Sequence, residues 1–131
     1  MKFSAHVQNS PNDHRVTLKV GDKEQSLSIA PKPTDGSSVS GGELLFLALA
    51  TCCCNDIYRE AAKRNIKVER VEVEVEGIFE AEGKPGSNIV YRPKVKADAS
   101  EEEIRELLKH TDTVLEIQNT LRVGTPVKLE L

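Results

Sequence analysis

The spacing of apolar and polar positions changes several times along this chain, and each change marks an element. In residues 2–8, Phe3, Ala5 and Val7 fall on one side of an extended segment, because successive side chains of a strand point to opposite faces. Asn9-Ser10-Pro11-Asn12-Asp13 is a cluster of turn formers. Val16, Leu18 and Val20 then alternate with Arg15, Thr17 and Lys19, the period-two pattern of a half-buried strand. Gly21-Asp22-Lys23-Glu24 turns the chain, and pairing Leu18 with Leu27 and Val16 with Ile29 sets apolar residues opposite each other in a hairpin. Residues 30–39, with Pro31, Pro33 and Gly36, form a loop.

The pattern becomes helical at Ser40-x-x-Glu43, a capping box in which each side chain reaches the other's backbone N–H. The helix is expected to run to about Asn65. Its first half, through Leu44 to Cys54, is apolar all round, which predicts burial on every side. Its second half sets Ile57, Tyr58, Ala61 and Ala62 against Arg59, Glu60, Lys63 and Arg64. A helix sheltered on all sides needs more cover than one thin sheet supplies, and dimerisation through this helix is the simplest source.

Residues 68–79 and 88–97 return to strict alternation: Val71, Val73 and Val75 against Glu72, Glu74 and Glu76, then Ile89, Tyr91, Val95 and Ala97 against Arg92, Lys94 and Lys96. A hairpin turning near Lys84-Pro85 would pair Glu76 with Arg92, Glu74 with Lys94 and Glu72 with Lys96, opposite charges on a solvated face. Ser100-x-x-Glu103 opens a second helix with Ile104, Leu107 and Leu108, ending near His110. A short helix over 111–122 and a closing strand over 125–131, with Val127, Leu129 and Leu131 on one face, complete the order βββ–α–ββ–α–α–β. This is an α+β fold with mainly antiparallel sheets around a long central helix. A length of 131 residues makes it a single domain, 1–131.

Composition narrows the picture modestly. Three Phe, two Tyr and no Trp give a small monomeric core. A net charge of −3 with scattered Lys and Arg argues against a nucleic-acid partner. The first twenty residues carry no apolar signal region, and the Leu44–Cys54 run falls short of the roughly 18 residues of a membrane span. A cytoplasmic protein with no membrane partner is expected.

All three cysteines are consecutive, Cys52-Cys53-Cys54. Side chains of adjacent residues diverge and cannot bridge without strain, and no other Cys exists, so a disulfide scaffold within the chain is excluded. On a helix the three sulfurs point about 100° apart. Cys52 alone has two polar residues one turn on, Asn55 and Asp56, and is expected to meet a polar cleft; Cys54 is expected in the core. Packing is the commoner role of a buried Cys. A reactive thiol needs a lowered pKa from a cation or a helix N-terminus, yet Cys52 lies too far into its helix for the dipole and Asp56 would raise its pKa. The cation must come from elsewhere, with Arg15 and His14 as candidates. Zinc ligands come in pairs two to four residues apart, a spacing absent here, so neither metal nor cofactor is expected.

The run Glu43-Leu44-Leu45-Phe46-Leu47-Ala48-Leu49-Ala50-Thr51-Cys52, followed by Asp56-Ile57, resembles the central helix of the OsmC/Ohr superfamily, as Gln118-Asn119-Thr120-Leu121 before a final strand resembles its C-terminal segment. The resemblance implies an intertwined homodimer whose sheets draw on both chains. It implies a thiol peroxidase for organic hydroperoxides, in which a thiolate on the central helix becomes a sulfenic acid, a second Cys resolves it to a disulfide, and an external thiol reductant resets it. Cys52 matches the peroxidatic position and Arg15 lies near that of the assisting arginine. The resolving position falls on Leu115, and the assisting glutamate of the hydroperoxide-resistance branch falls on Gly42. Three outcomes stay open: a one-Cys peroxidase on Cys52 resolved by an outside thiol, Cys53 as a poor secondary thiol, or an inactive dimer holding a small hydrophobic ligand.

Overall fold

In a computed structural model that describes residues 1–131, the chain runs β1 (Phe3–Ser10), β2 (Asp13–Val20), β3 (Lys23–Leu27), α1 (Gly41–Lys63), β4 (Val68–Ile78), β5 (Ser87–Ala97), α2 (Glu101–Thr113) and α3 (Glu116–Arg122). This is the expected α+β order without its last strand. Residues 125–131 have no regular structure, and Val127 is 97% exposed. Alternation does not make a strand by itself, because the backbone N–H and C=O groups need a neighbouring strand to bond, and this chain pairs none with them. The chain divides into two compact units, Met1–Leu44 and Leu45–Leu131. No helix is long and apolar enough to cross a membrane.

In the first unit β1, β2 and β3 form an antiparallel sheet in that order. The second hairpin pairs Val16 with Leu27 and Leu18 with Gln25, two residues from the expected register. The turn is tighter than expected: Val20 opposes Lys23, leaving Gly21 and Asp22 at the corner, with Gly21 at a φ of 56° that favours glycine. A slip of two keeps every side chain on its face, so the hydrophobic pattern could not exclude it. Val16 is buried, while Phe3, Val7 and Leu27 stay exposed. The Ser40–Glu43 capping box forms as expected: Glu43 N donates to Ser40 Oγ at 3.2 Å and Ser40 N to Glu43 Oε2 at 2.7 Å.

The second unit holds the core. Cys53, Ile57 and Ala61 of α1 meet Leu107 of α2 and Leu115, with Val71, Val73, Tyr91 and Val95 of the β4–β5 hairpin packed against them. The buried sulfur is Cys53, at 1% exposure, whereas Cys54 is only partly buried; the expectation of Cys54 as the core thiol is corrected. Helix phase explains it, since Cys53, Ile57 and Ala61 recur at intervals of four and form one stripe. The first half of α1 is not sheltered all round within this chain: Leu49 is buried but Leu47 is 56% exposed.

The β4–β5 register also differs by two from expectation, pairing Glu72 with Lys94 and Glu74 with Arg92. Arg92 bonds Glu74 at 3.2 Å and reaches diagonally to Glu76 at 2.7 Å. Both registers oppose Glu to a cation at most rungs, so charge pattern could not choose between them. A β-irregularity between Glu76 and Ile78 brings Gly77 under the Phe46 ring, where a Cβ would come within 2.7 Å of Phe46 Cζ. α2 carries the expected Ser100–Glu103 box and continues to Thr113. The expected helix over 111–122 therefore begins only at Glu116. Leu115, wholly buried and extended (ψ 106°), breaks the helical path.

Candidate active site

The start of α3 is held against α1 by buried anchors. Leu115 fills the core, and the buried Gln118 donates from Nε2 to the Leu49 carbonyl at 3.0 Å. Thr120 Oγ1 donates to the Glu116 carbonyl at 2.6 Å. These bonds place the Glu116 side chain over the polar edge of α1, beside Cys52.

The Cys52 sulfur is partly buried and lies 3.6 Å from Asp56 Oδ2 and 3.7 Å from Glu116 Oε2. Its one proton can serve either carboxylate, not both at once. Each carboxylate gives its other oxygen to Arg59: Nη1 is 3.1 Å from Asp56 Oδ1 and 3.1 Å from Glu116 Oε1. Cys52, Asp56 and Arg59 stand at i, i+4 and i+7, one face of the helix. Arg59 Nε donates to Glu60 Oε2 at 2.8 Å, and Glu60 also accepts from Lys63 Nζ at 3.0 Å and bonds His110 Nε2 at 2.9 Å.

Burial pushes the Cys52 thiol above its ordinary range; the Ile117 backbone N–H opposes that rise, and Asp56 and Glu116 reinforce it. Cys53, deeper, is pushed up to about 12 by burial and by its neighbouring sulfurs. The Asp56 carboxyl is raised by burial and by Glu116 at its side. Glu116 is held low by hydrogen bonding to Asp56 and by Arg59. At neutral pH the sulfur is therefore a thiol between two acids. The sulfur and one oxygen from each acid lie within 4.8 Å of one another, a set that could accept a divalent cation, although Arg59 already neutralises part of its charge.

The candidates on the first unit have partners within that unit. Arg15 on β2 pairs with Asp13 at 3.2 Å and His14 bonds Asn9 at 3.0 Å. Two residues of the site escaped the sequence reading. Arg59 carried a legible signal, seven residues after Cys52 on its own face. Glu116 carried only its place beside Leu115, the position matching a resolving thiol.

The family model described as "OsmC-like protein" matches residues 34–130. The chain belongs to this OsmC family. No curated protein matches the sequence. Among solved structures it is similar to an OsmC-like protein from Mycoplasma pneumoniae, at 20% identity over 93% of this chain and 89% of that one, TM-score 0.64. It is similar to an OsmC-like protein of unknown function from Vibrio cholerae O1 biovar eltor, at 18% identity over 92% and 93%, TM-score 0.67. It is likewise similar to an organic hydroperoxide resistance protein OsmC from Legionella pneumophila, at 19% identity over 93% and 90%, TM-score 0.62. At these identities the likeness speaks for the fold. Within this OsmC-like chain Gly41 and Gly42 open the first turn of α1, and Glu43 is committed to the capping box.

Proposed function

We propose that this OsmC-family protein reduces organic hydroperoxides through Cys52 as a one-Cys thiol peroxidase. The observation that carries the reading is the placement of the Cys52 sulfur: partly exposed on the central helix, at a polar edge where acids and Arg59 meet. The similarity to a hydroperoxide resistance protein supports the same role. The sulfur attacks the terminal oxygen of ROOH, the O–O bond breaks, and Cys52–SH and ROOH become Cys52–SOH and ROH. With no resolving Cys in the chain, an external thiol forms a mixed disulfide with the sulfenic acid, releasing water, and a second thiol frees Cys52. Buried Cys53 is a poor substitute, since its proton is held to about pH 12.

A homodimer belongs to the same proposal. Phe3, Val7 and Leu27 on the first sheet, Leu47 on α1, and Val127 and Leu129 at the C-terminal end are all exposed in the single chain, a demand for cover that a second copy would meet. Arg15 is proposed as the assisting cation on the family resemblance, and Arg15→Ala is expected to slow the reaction. Cumene hydroperoxide followed by a sulfenic-acid trap should label Cys52 and consume peroxide. An unlabelled Cys52, with peroxide consumption unchanged in Cys52→Ser, would remove the reading.

One observation favours a second reading, a small hydrophobic ligand held without turnover. A cavity of about 230 Å³ is lined by Leu49, Ile89, Tyr91, Gln118, Leu121 and Arg122. Gln118 Oε1 is buried with no partner. Native mass spectrometry of the purified protein would show a bound small molecule if this reading holds.

A further inference from the structure

We propose that Asp56 and Glu116, side by side at the sulfur, are the acid–base pair of the peroxide reaction, moving the Cys52 proton to the departing alkoxide while Arg59 holds both carboxylates in place. The inference rests on the peroxidase reading of Cys52.

The geometry is specific. Each carboxylate has one oxygen on the sulfur, at 3.6 Å for Asp56 and 3.7 Å for Glu116, and its other oxygen on the same Arg59 nitrogen. A thiol peroxidase that stores a thiolate needs a cation on sulfur. Here the groups on sulfur are proton acceptors, and the guanidinium stands behind them. That arrangement suits moving a proton during the reaction rather than removing it beforehand. In the step, Sγ–H gives its proton to Asp56 Oδ2 as the sulfur electron pair attacks the terminal peroxide oxygen. The S–O bond forms, the O–O bond breaks, and the alkoxide takes a proton from the carboxyl pair. The sum is Cys52–SH plus ROOH giving Cys52–SOH plus ROH: sulfur is oxidised by two electrons, the peroxide is reduced, and no proton is left over. Glu116 stands beside the position that matches the family's resolving thiol, so this chain offers a carboxylate there instead of a second sulfur.

The test compares two reactions of the same sulfur. Alkylation by iodoacetamide expels iodide, which needs no proton, whereas oxidation by cumene hydroperoxide expels an alkoxide, which does. Alkylation at pH 8 runs from the small fraction of pre-formed thiolate; Asp56→Asn and Glu116→Gln remove negative charge that disfavours the thiolate, so alkylation should quicken several-fold in both. Oxidation, read as sulfenic-acid formation in a single turnover, should slow by roughly a hundredfold, the low end of general acid–base contributions. The oxidation rate of either variant should also acquire the steep pH dependence of its alkylation rate. Glu116 is exposed, so Glu116→Gln serves if Asp56→Asn does not fold. Both reactions changing in the same direction, or neither changing, overturns the proposal. Wild-type protein that alkylates at Cys52 but never forms sulfenic acid overturns the peroxidase reading itself, a result seen without any variant.

Discussion

Asp56 and Glu60 stand one turn apart on α1, both almost excluded from solvent and both bonded to Arg59, yet their carboxyls shift in opposite directions. Glu60 meets Arg59, Lys63 and His110 and is held down to about 2. Asp56 meets a thiol and a second acid, with Arg59 as its one cation, and is raised. Burial alone raises any carboxyl; the sign of the outcome is set by the number of cations around it. One turn of helix thus separates a structural ion cluster, which ties α1 to α2 through His110, from a site short of positive charge, where a proton can change hands. Strongly perturbed groups cluster at functional sites, while structural ion-pair networks perturb pKa values as well.

Substitutions at these positions test the contrast between Asp56 and Glu60. Ile57, wholly buried in the core with Leu107 and Leu115, serves as the structural control: Ile57→Ala should cost about 2–5 kcal/mol by opening a cavity, measured by chemical denaturation, while leaving the two carboxyl shifts in opposite directions. Glu60→Gln should lower the melting temperature at pH 7 clearly but by less. A depressed carboxyl stabilises the fold above its unfolded value of 4.5, and that contribution is lost as pH falls toward 2. The acid limb of the stability curve between pH 4.5 and 2 should therefore flatten in this variant. Asp56→Asn should behave oppositely: a raised carboxyl costs stability once pH climbs past 3.8, so its melting temperature at pH 7 should hold or rise. An equal fall in both variants would erase the contrast.

Arg59→Met probes the shared partner. Glu60 keeps Lys63 and His110, but Asp56 and Glu116 lose Arg59. The Cys52 thiol should rise further, and iodoacetamide alkylation at pH 8 should slow by roughly two- to fivefold, the rate equivalent of a partly exposed ion pair worth about 0.5–1 kcal/mol. In the unaltered protein, that alkylation should reach its half-rise above pH 9.0, the ordinary thiol value, because burial and two acids hold the proton.

Much of the fold was legible. Both capping boxes, the alternation of the β4 valines and the elements up to α2 follow from local rules, since hydrogen-bonding side chains and side-chain period are properties of short segments. Both hairpin registers were two residues off, because a slip of two leaves the faces unchanged and the deciding features were a tight corner at Gly21 and an irregularity at Gly77. The strand expected over 125–131 requires a partner that the chain itself does not supply. Half of the candidate site was also legible: Cys52 and Asp56 are one turn apart on any helix. The identity of the core thiol was not, because a helix that reads as apolar all round gives no phase, and only packing against Leu107 and Leu115 selects Cys53.

The long helix, its caps, the clustering of every sulfur on it and the acid one turn beyond Cys52 all follow from residues within reach along the chain. Glu116 reaches the sulfur from sixty-four residues away, and Arg59 comes to stand behind both acids, through folding alone. That decision belongs to Leu115 and Gln118, whose burial anchors α3 against α1, and long-range packing of this kind leaves no local periodicity to read.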